Sequence, residues 1–271
     1  IAGRTEKEMY ETLGLRYIVP ELRENRGEIE AARDDSLPDS ITRSDLRGDL
    51  HVHTARSDGH HTIEEMAEAA KKRNLEYIAV TEHSKRVAVA GGLDAGELAE
   101  QIDEIEKKRE EIAGIEILTG IEVDILEDGS LDLPHDVLER LDVVVCSIHS
   151  KFGLSREKQT ERVIRAMDNE CFQIFGHPTG RLIGRREPYD IDMGKVMKAA
   201  RERGCVLELN AHPDRLDLDD IHCMMAKDAQ VKIAISTDAH HADDFDFLEY
   251  GIKQARRGWL EAGDVVNTAS P

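Results

Sequence analysis

The chain lacks most features that mark several common protein classes. Aromatic residues make up 4% of its 271 positions, with one Trp, so a core here must be built chiefly from Ile, Val, Leu and Ala. No apolar stretch approaches the roughly 20 residues that span a bilayer, which excludes a helical membrane protein. The opening IAGRTEKEMY has neither the basic nor the apolar region of a secretory signal. Its first residue is not Met, as expected of a fragment of a longer chain. Cys146, Cys171, Cys205 and Cys223 are widely spaced with no CxxC pair. A zinc ribbon is thereby excluded, and small buried thiols in a reducing, cytoplasmic setting are expected. There is no GxGxxG, Walker loop or GxSxG, so dinucleotide, P-loop and serine-hydrolase chemistry have no support.

Basic charge is also in short supply. Thirty-six Lys and Arg face 56 Asp and Glu, for a net charge of -20. A chain this acidic does not coat nucleic acid nonspecifically, because neutralising phosphates requires a basic face. A local phosphate site remains open. Lys85, Arg86, Lys151, Arg156, Arg181, Arg185, Arg186 and Arg215 all fall just after apolar runs.

What the chain does contain is a regular alternation from Asp45 onward. Apolar runs read as strands at Asp49–Val52, Tyr77–Thr81, Ile115–Val123, Asp142–Ile148, Gln173–Phe175, Cys205–Leu209 and Val231–Ser236. They are near-continuously apolar, which suits parallel strands buried on both faces. Amphipathic segments separate them. Thr62–Arg73 opens with a capping box, Thr62 and Glu65, and Asp94–Ile112 repeats Leu98, Ile102 and Ile105 at helical spacing. Residues 1–44 read differently: a short helix around Thr5–Leu13, sparse periodicity, then the polar DDSLPDSITRSD. They are expected to be the tail of a preceding domain and a linker, with 45–271 as the main domain. Seven strands with intervening helices predict an α/β barrel one strand short of the common eightfold form; a doubly wound sheet is the weaker alternative.

Potential metal ligands recur at the ends of these runs. His51 and His53 in DLHVH are separated by one residue and share a face of a strand. Asp58 follows in an SDG turn, and His83, His149 and His177 each follow an apolar run. Glu122 lies inside ILTGIEVDI, where an unpaired carboxylate is costly, and Asp124 competes with it. Asp238 and His240 repeat the i, i+2 spacing at the last strand, which a closed barrel makes the neighbour of the first. His60, His61, His135, His222 and His241 read as surface or loop residues. His212, in ELNAHP, is compatible with a ligand, a substrate contact or neither. Nine His and carboxylate ligands are too many for one ion and fit two or three of Mn, Zn or Fe. Adjacent ions of this kind lower the pKa of a shared water and brace an in-line phosphoryl displacement.

DLHVHTARSDG, TEHS, GIEVDI, SIHS, GHPTGR, ELNA and STDAH together resemble, in order, the motifs of the PHP (polymerase and histidinol phosphatase) family. The chain is similar in particular to the C-terminal PHP domain of bacterial and archaeal family X DNA polymerases, whose polymerase core ends in a segment like GLRYIVPELRENRGEIEAA. The resemblance implies a distorted (β/α)7 TIM-like barrel with a metal centre at the C-terminal strand ends. It implies one ion held by His51, His53, Glu122 and Asp238, a second by Glu122, His149 and His177, and a third by Asp58, His83 and His240. Manganese is the expected functional metal. The implied activity is 3′→5′ exonuclease action on DNA 3′ ends in repair, with 3′-phosphatase or abasic-site cleavage open to the same centre. Glu122 and Asp238 would act at the reacting centre, and Arg181, Arg185 and Arg186 would stabilise developing charge. The implied partner is a covalently linked polymerase core, whose own catalytic carboxylates this sequence does not contain. The alternatives are a histidinol-phosphatase-like phosphomonoesterase and a noncatalytic, metal-stabilised module.

Overall fold

A computed structural model describes residues 3–271. Its centre is a single seven-stranded sheet in which every neighbouring pair is parallel and the order follows the sequence. The strands are β1 (Gly48–Val52), β2 (Tyr77–Val80), β3 (Glu116–Asp124), β4 (Val143–Ser147), β5 (Ile174–Phe175), β6 (Val206–Asn210) and β7 (Ile233–Ser236). The first two helices, α1 (Glu6–Thr12) and α2 (Glu28–Arg33), precede the barrel. Between or after the strands come α3 (Ile63–Lys72), α4 (Ala95–Glu111), α5 (His135–Leu138), α6 (Arg156–Ala166), α7 (Met193–Arg203), α8 (Asp220–Asp228) and α9 (Leu248–Arg257). This is the distorted (β/α)7 barrel expected from the sequence.

Local chemistry sets the element boundaries. The capping box at Thr62 and Glu65 forms at the start of α3, and Asp94 with Glu97 does the same for α4. α5 is a single turn, because the chain must reach β4 almost at once. α8 starts two residues after Leu218, where the Asp219 side chain accepts from the His222 N–H and caps it.

The barrel is closed by side chains as well as by strands. Beyond β7, the His53 N–H donates to the Ala239 carbonyl at 2.8 Å. Lower in the seam, Asn267 donates to the Gly48 and Ile235 carbonyls and accepts from the Ile235 N–H. Buried Asp49 accepts from the backbone and hydroxyl of Thr237. These two side chains stand in for the missing eighth strand.

Two apolar layers follow from the period-two alternation of the strands. Leu50, Tyr77, Ala79, Leu118, Val143, Val145, Ile174 and Ala234 fill the barrel interior. A larger layer, including Val80, Ile117, Val144, Phe175 and Leu207, packs against the helices. All four cysteines are buried free thiols. Residues 18–37, where core signal is sparse in the sequence, nevertheless bury Ile18, Leu22, Ala31, Ala32 and Leu37 in a small cluster that Trp259 adjoins. Ion pairs Arg26–Asp220 and Arg257–Glu24 tie this segment to α8 and α9. Among the described residues, no helix is long and apolar enough to cross a membrane.

Candidate metal centre

The parity that fills the barrel interior with apolar residues delivers polar ones at its upper end. Leu118 leads to Glu122 and Asp124, Val145 to Ser147 and His149, Val206 to Glu208 and Asn210, and Ala234 to Ser236 and Asp238. On β1 an irregularity in the pairing between Asp49 and Val52 resets the register, which brings His51 and His53 into the same bowl. The loop after β1 then folds back over the strand end. Gly59 permits this, since a Cβ there would lie 2.7 Å from the His53 backbone, and Asp58 is thereby returned to the bowl.

All nine predicted ligands meet. Glu122, buried, is central. Its Oε1 lies 2.8 Å from His177 Nε2 and 3.2 Å from His149 Nε2, while its Oε2 lies 2.7 Å from His83 Nδ1 and 3.5 Å from His51 Nε2. Asp238 Oδ1 is 3.2 Å from His53 Nε2 and 3.5 Å from His51 Nε2. Asp58 reaches His83 Nε2 at 3.4 Å and His240 Nε2 at 3.3 Å. Three overlapping sets have ligand atoms close enough to share an ion: His51, His53 and Asp238; His83, Glu122 and His149; and His53, Asp58, His83 and His240. His53 and His83 each belong to two of them, so the grouping in space is more interleaved than the sequence resemblance implies.

The donor chemistry fits divalent cations. His51 Nε2, both ring nitrogens of His53, His83 Nδ1 and Glu122 Oε2 are buried without hydrogen-bond partners, whereas buried polar atoms are ordinarily satisfied. Their protonation shows the same tension. Burial opposes charge on His83, yet Glu122 and Asp58 outweigh it and raise its pKa to about 10. Burial likewise opposes charge on His240, which Asp58 and Asp238 raise to about 9. His53 goes the other way, to about 3, through burial and then repulsion from His240 and His83. Burial works against Glu122 and Asp238 as anions, but the surrounding histidines hold both well below the usual carboxylate range. Cations in the bowl would take over the role of these protons.

A second ring of residues orients the first. His51 Nδ1 lies 2.7 Å from Glu208 Oε1, and the His177 N–H donates to Glu208 Oε2 at 2.6 Å. Asp124 accepts from the His149 N–H at 2.9 Å and faces its Nδ1 at 3.2 Å. Such carboxylate–imidazole pairs fix the tautomer that presents the other ring nitrogen to a metal. Buried Glu82 accepts from the Thr54 N–H and from the Thr54 and Ser57 hydroxyls, bracing the loop that carries Asp58. Neither Glu208 nor Glu82 is singled out in the sequence reading. The available signal is their placement, a lone acid within VLELN and one directly after YIAVT.

The rim arginines separate into distinct roles. Arg181 donates to the Arg215 and Leu216 carbonyls, and Arg185 is exposed and pairs with Asp214. Arg186 stacks on the Phe152 ring at 4.2 Å and donates to the Gly180 carbonyl; burial, then repulsion from Arg215, lowers its pKa. Arg215 reaches furthest in: its Nε is 3.3 Å from Asp238 Oδ2, and its Nη1 is buried without a partner. Arg215 and Arg186 are therefore the cations best placed at the bowl. His212 is in no ligand set. Its Nδ1 accepts from the Asp214 N–H and its ring meets Phe247 edge-on at 5.1 Å.

Known proteins resemble the chain in sequence and in fold. The PHP domain family profile matches residues 49–212. The DNA polymerase/3′-5′ exonuclease PolX of Bacillus subtilis is 42% identical over 98% of this chain, which spans 46% of that protein's length. A probable phosphatase of Thermoanaerobacter sp. is 34% identical over 81% of this chain and 89% of its own. The crystal structure of histidinol phosphate phosphatase from Lactococcus lactis, complexed with zinc, L-histidinol and phosphate, shares the fold. It is 18% identical, covers 79% of this chain and 94% of that one, and superposes with a TM-score of 0.55.

Proposed function

The chain belongs to the PHP family of metal-dependent phosphoesterases, and from that premise we propose that it is a 3′→5′ exonuclease unit of a longer, polymerase-linked protein. It would hydrolyse the terminal phosphodiester of a DNA strand. One observation carries the chemistry: nine His and carboxylate side chains, several with unpartnered buried atoms, converge on one bowl beside a half-buried arginine whose Nη1 is buried without a partner. The similarity to the Bacillus subtilis protein along nearly the whole chain supports DNA as the substrate.

Two or three divalent ions, with manganese expected, would be held by His51, His53, Asp58, His83, Glu122, His149, His177, Asp238 and His240, and would supply an activated water and brace the phosphate oxygens. The protein's own residues do the rest. Glu208 and Asp124 keep His51 and His149 in the ligating tautomer. Arg215, already oriented by Asp238, turns its free Nη1 toward a bound phosphate, and Arg186, held flat on Phe152, adds a second cation. Both would stabilise negative charge as it develops on the phosphoryl oxygens. Arg181 acts through the backbone of residues 215–216 and positions Arg215.

A phosphomonoesterase is the second reading, favoured by the probable phosphatase whose length this chain nearly matches. Metal-stripped protein given Mn2+ and a 5′-labelled DNA strand separates the two, with His51→Ala/His53→Ala as the control. Stepwise shortening from the 3′ end, lost in the control, supports the exonuclease. An intact strand together with release of phosphate from monoesters would replace it with the phosphomonoesterase.

A further inference from the structure

Phe, Trp and Tyr total only 11 residues in the chain, yet three rings gather on one side of the bowl. His212 meets Phe247 edge-on at 5.1 Å, and Phe247 lies 6.1 Å from Tyr250 at an interplanar angle of 34°. Tyr250 is 46% exposed, an unusual state for a large ring in so aromatic-poor a protein. The group is wired to the metal centre through the loops after β6 and β7. The His212 N–H donates to Asn210 Oδ1, and the Asn210 amide donates to Asp238 Oδ2. The His212 carbonyl accepts the Arg215 N–H in the turn that brings Arg215 to Asp238. From the other loop, Asp244 accepts the N–H groups of His240 and His241 just before the chain reaches Phe247. His212 Nδ1 is engaged by Asp214, so the ring is held as a surface and does not ligate.

We propose that His212, Phe247 and Tyr250 form a ledge on which a nucleobase stacks next to the phosphate held at Arg215. This inference rests on the nucleic-acid reading given above and names how that substrate is gripped. A chain with a net charge of -20 gains little from long-range attraction to a polyanion, so contacts that ignore charge must add to the local grip of Arg215 and Arg186. Base stacking on aromatic side chains is one such contact, worth about 1–3 kcal/mol per base and tolerant of sequence. Arg186 on Phe152 lies on the loops after β4 and β5, whereas the ledge comes from the loop after β6 and the start of α9, so the phosphate would sit between a cation on one side and a stacked base on the other.

The test compares the Mn2+-loaded full chain on two 5′-labelled single strands. One is intact, and the other carries tetrahydrofuran abasic residues at its last two 3′ positions. The ledge predicts a KM about tenfold higher for the abasic strand, within the stacking range, and a ratio near one in both His212→Ala and Tyr250→Ala. Equal KM values for the two strands in the unaltered protein, or a ratio that survives both substitutions, would overturn the ledge while leaving the exonuclease in place. If the unaltered protein shortens neither strand yet hydrolyses phosphomonoesters, the nucleic-acid reading fails and the ledge fails with it. Tyr250 is exposed and sits on α9 rather than in the loop, so its variant reports on the ledge even where His212→Ala perturbs the loop.

Discussion

Replacing Glu208 by Gln is expected to weaken metal binding by about 10- to 100-fold while leaving the barrel folded. The carboxylate is fully buried and receives three donors: His51 Nδ1–H at 2.7 Å, the His177 N–H at 2.6 Å and the Asn210 amide at 3.2 Å. Its two oxygens face different donors, so a carboxamide of the same shape can satisfy only one of the two strong contacts. The other donor then meets an NH2 group. Either His51 loses the acceptor that holds its proton on Nδ1, or His177 loses its backbone anchor. A hydrogen bond to a charged group contributes about 1.5–3 kcal/mol, which at about 1.4 kcal/mol per decade gives the stated range. Titration of metal-stripped protein with Mn2+ or Zn2+ against a competing chelator measures it directly, with circular dichroism confirming the fold. An unchanged affinity in a folded Gln variant would refute the role assigned to Glu208.

Arg215→Ala should weaken inhibition by inorganic phosphate and lower kcat/KM at least about tenfold, the loss of one charge-assisted contact; steady-state kinetics on DNA and on a phosphomonoester would show it. Arg162, buried in α6, donates to the Ile125, Leu126 and Ser150 carbonyls. Arg162→Met should cost about 3 kcal/mol or more in urea unfolding, because carbonyls are left unsatisfied. Burial raises the pKa of Asp217 to about 6, above its unfolded value near 4. Protonation therefore favours the folded state, and that contribution is present below about pH 4 and lost as pH rises through about 6. Asp217→Asn should accordingly gain stability relative to the unaltered protein between pH 4 and 7, read from urea midpoints at each pH.

The barrel and the convergence of nine His and carboxylate side chains were legible in the sequence because both rest on strong local signals. Near-continuous apolar runs mark buried parallel strands, and a His or Asp just beyond such a run has few bland explanations once nine accumulate. Three kinds of feature were not legible. The seam between β1 and β7 depends on Asn267, some thirty residues past the last strand, and no local pattern announces that its amide bridges two strands. Glu208 looks like any acid in a strand until the interior face is known; the parity running from Val206 through Glu208 to Asn210 identifies it only once the register is fixed. Among the arginines, sequence position placed Arg181, Arg185, Arg186 and Arg215 on one rim. It could not show that Arg181 is spent on backbone carbonyls while Arg215 keeps a free N–H. That difference arises from loop conformation, which composition does not encode.

The orienting carboxylates also separate the ion sites in a testable way. His177 and Asp238 both adopt positive φ, 26° and 56°, a conformation that costs a non-glycine residue about 1–3 kcal/mol and persists only when its surroundings enforce it. Glu208 holds His177 by its N–H and His51 by its ring, so one carboxylate couples β1 to the loop after β5. Loss of Glu208 should therefore weaken the sites on both sides of Glu122 together. Among the described residues the Asp124 carboxylate bonds His149 alone, through its backbone and its ring. Asp124→Asn removes the carboxylate charge but keeps one oxygen for the His149 N–H, and it leaves His51, His53 and Asp238 untouched. Titrating both variants with Co2+ and following the ligand-field bands should show one site weakened in Asp124→Asn and more than one in Glu208→Gln. Equal loss across all sites in Asp124→Asn would mean that the ions bind as one cooperative cluster and that no single carboxylate governs a single site.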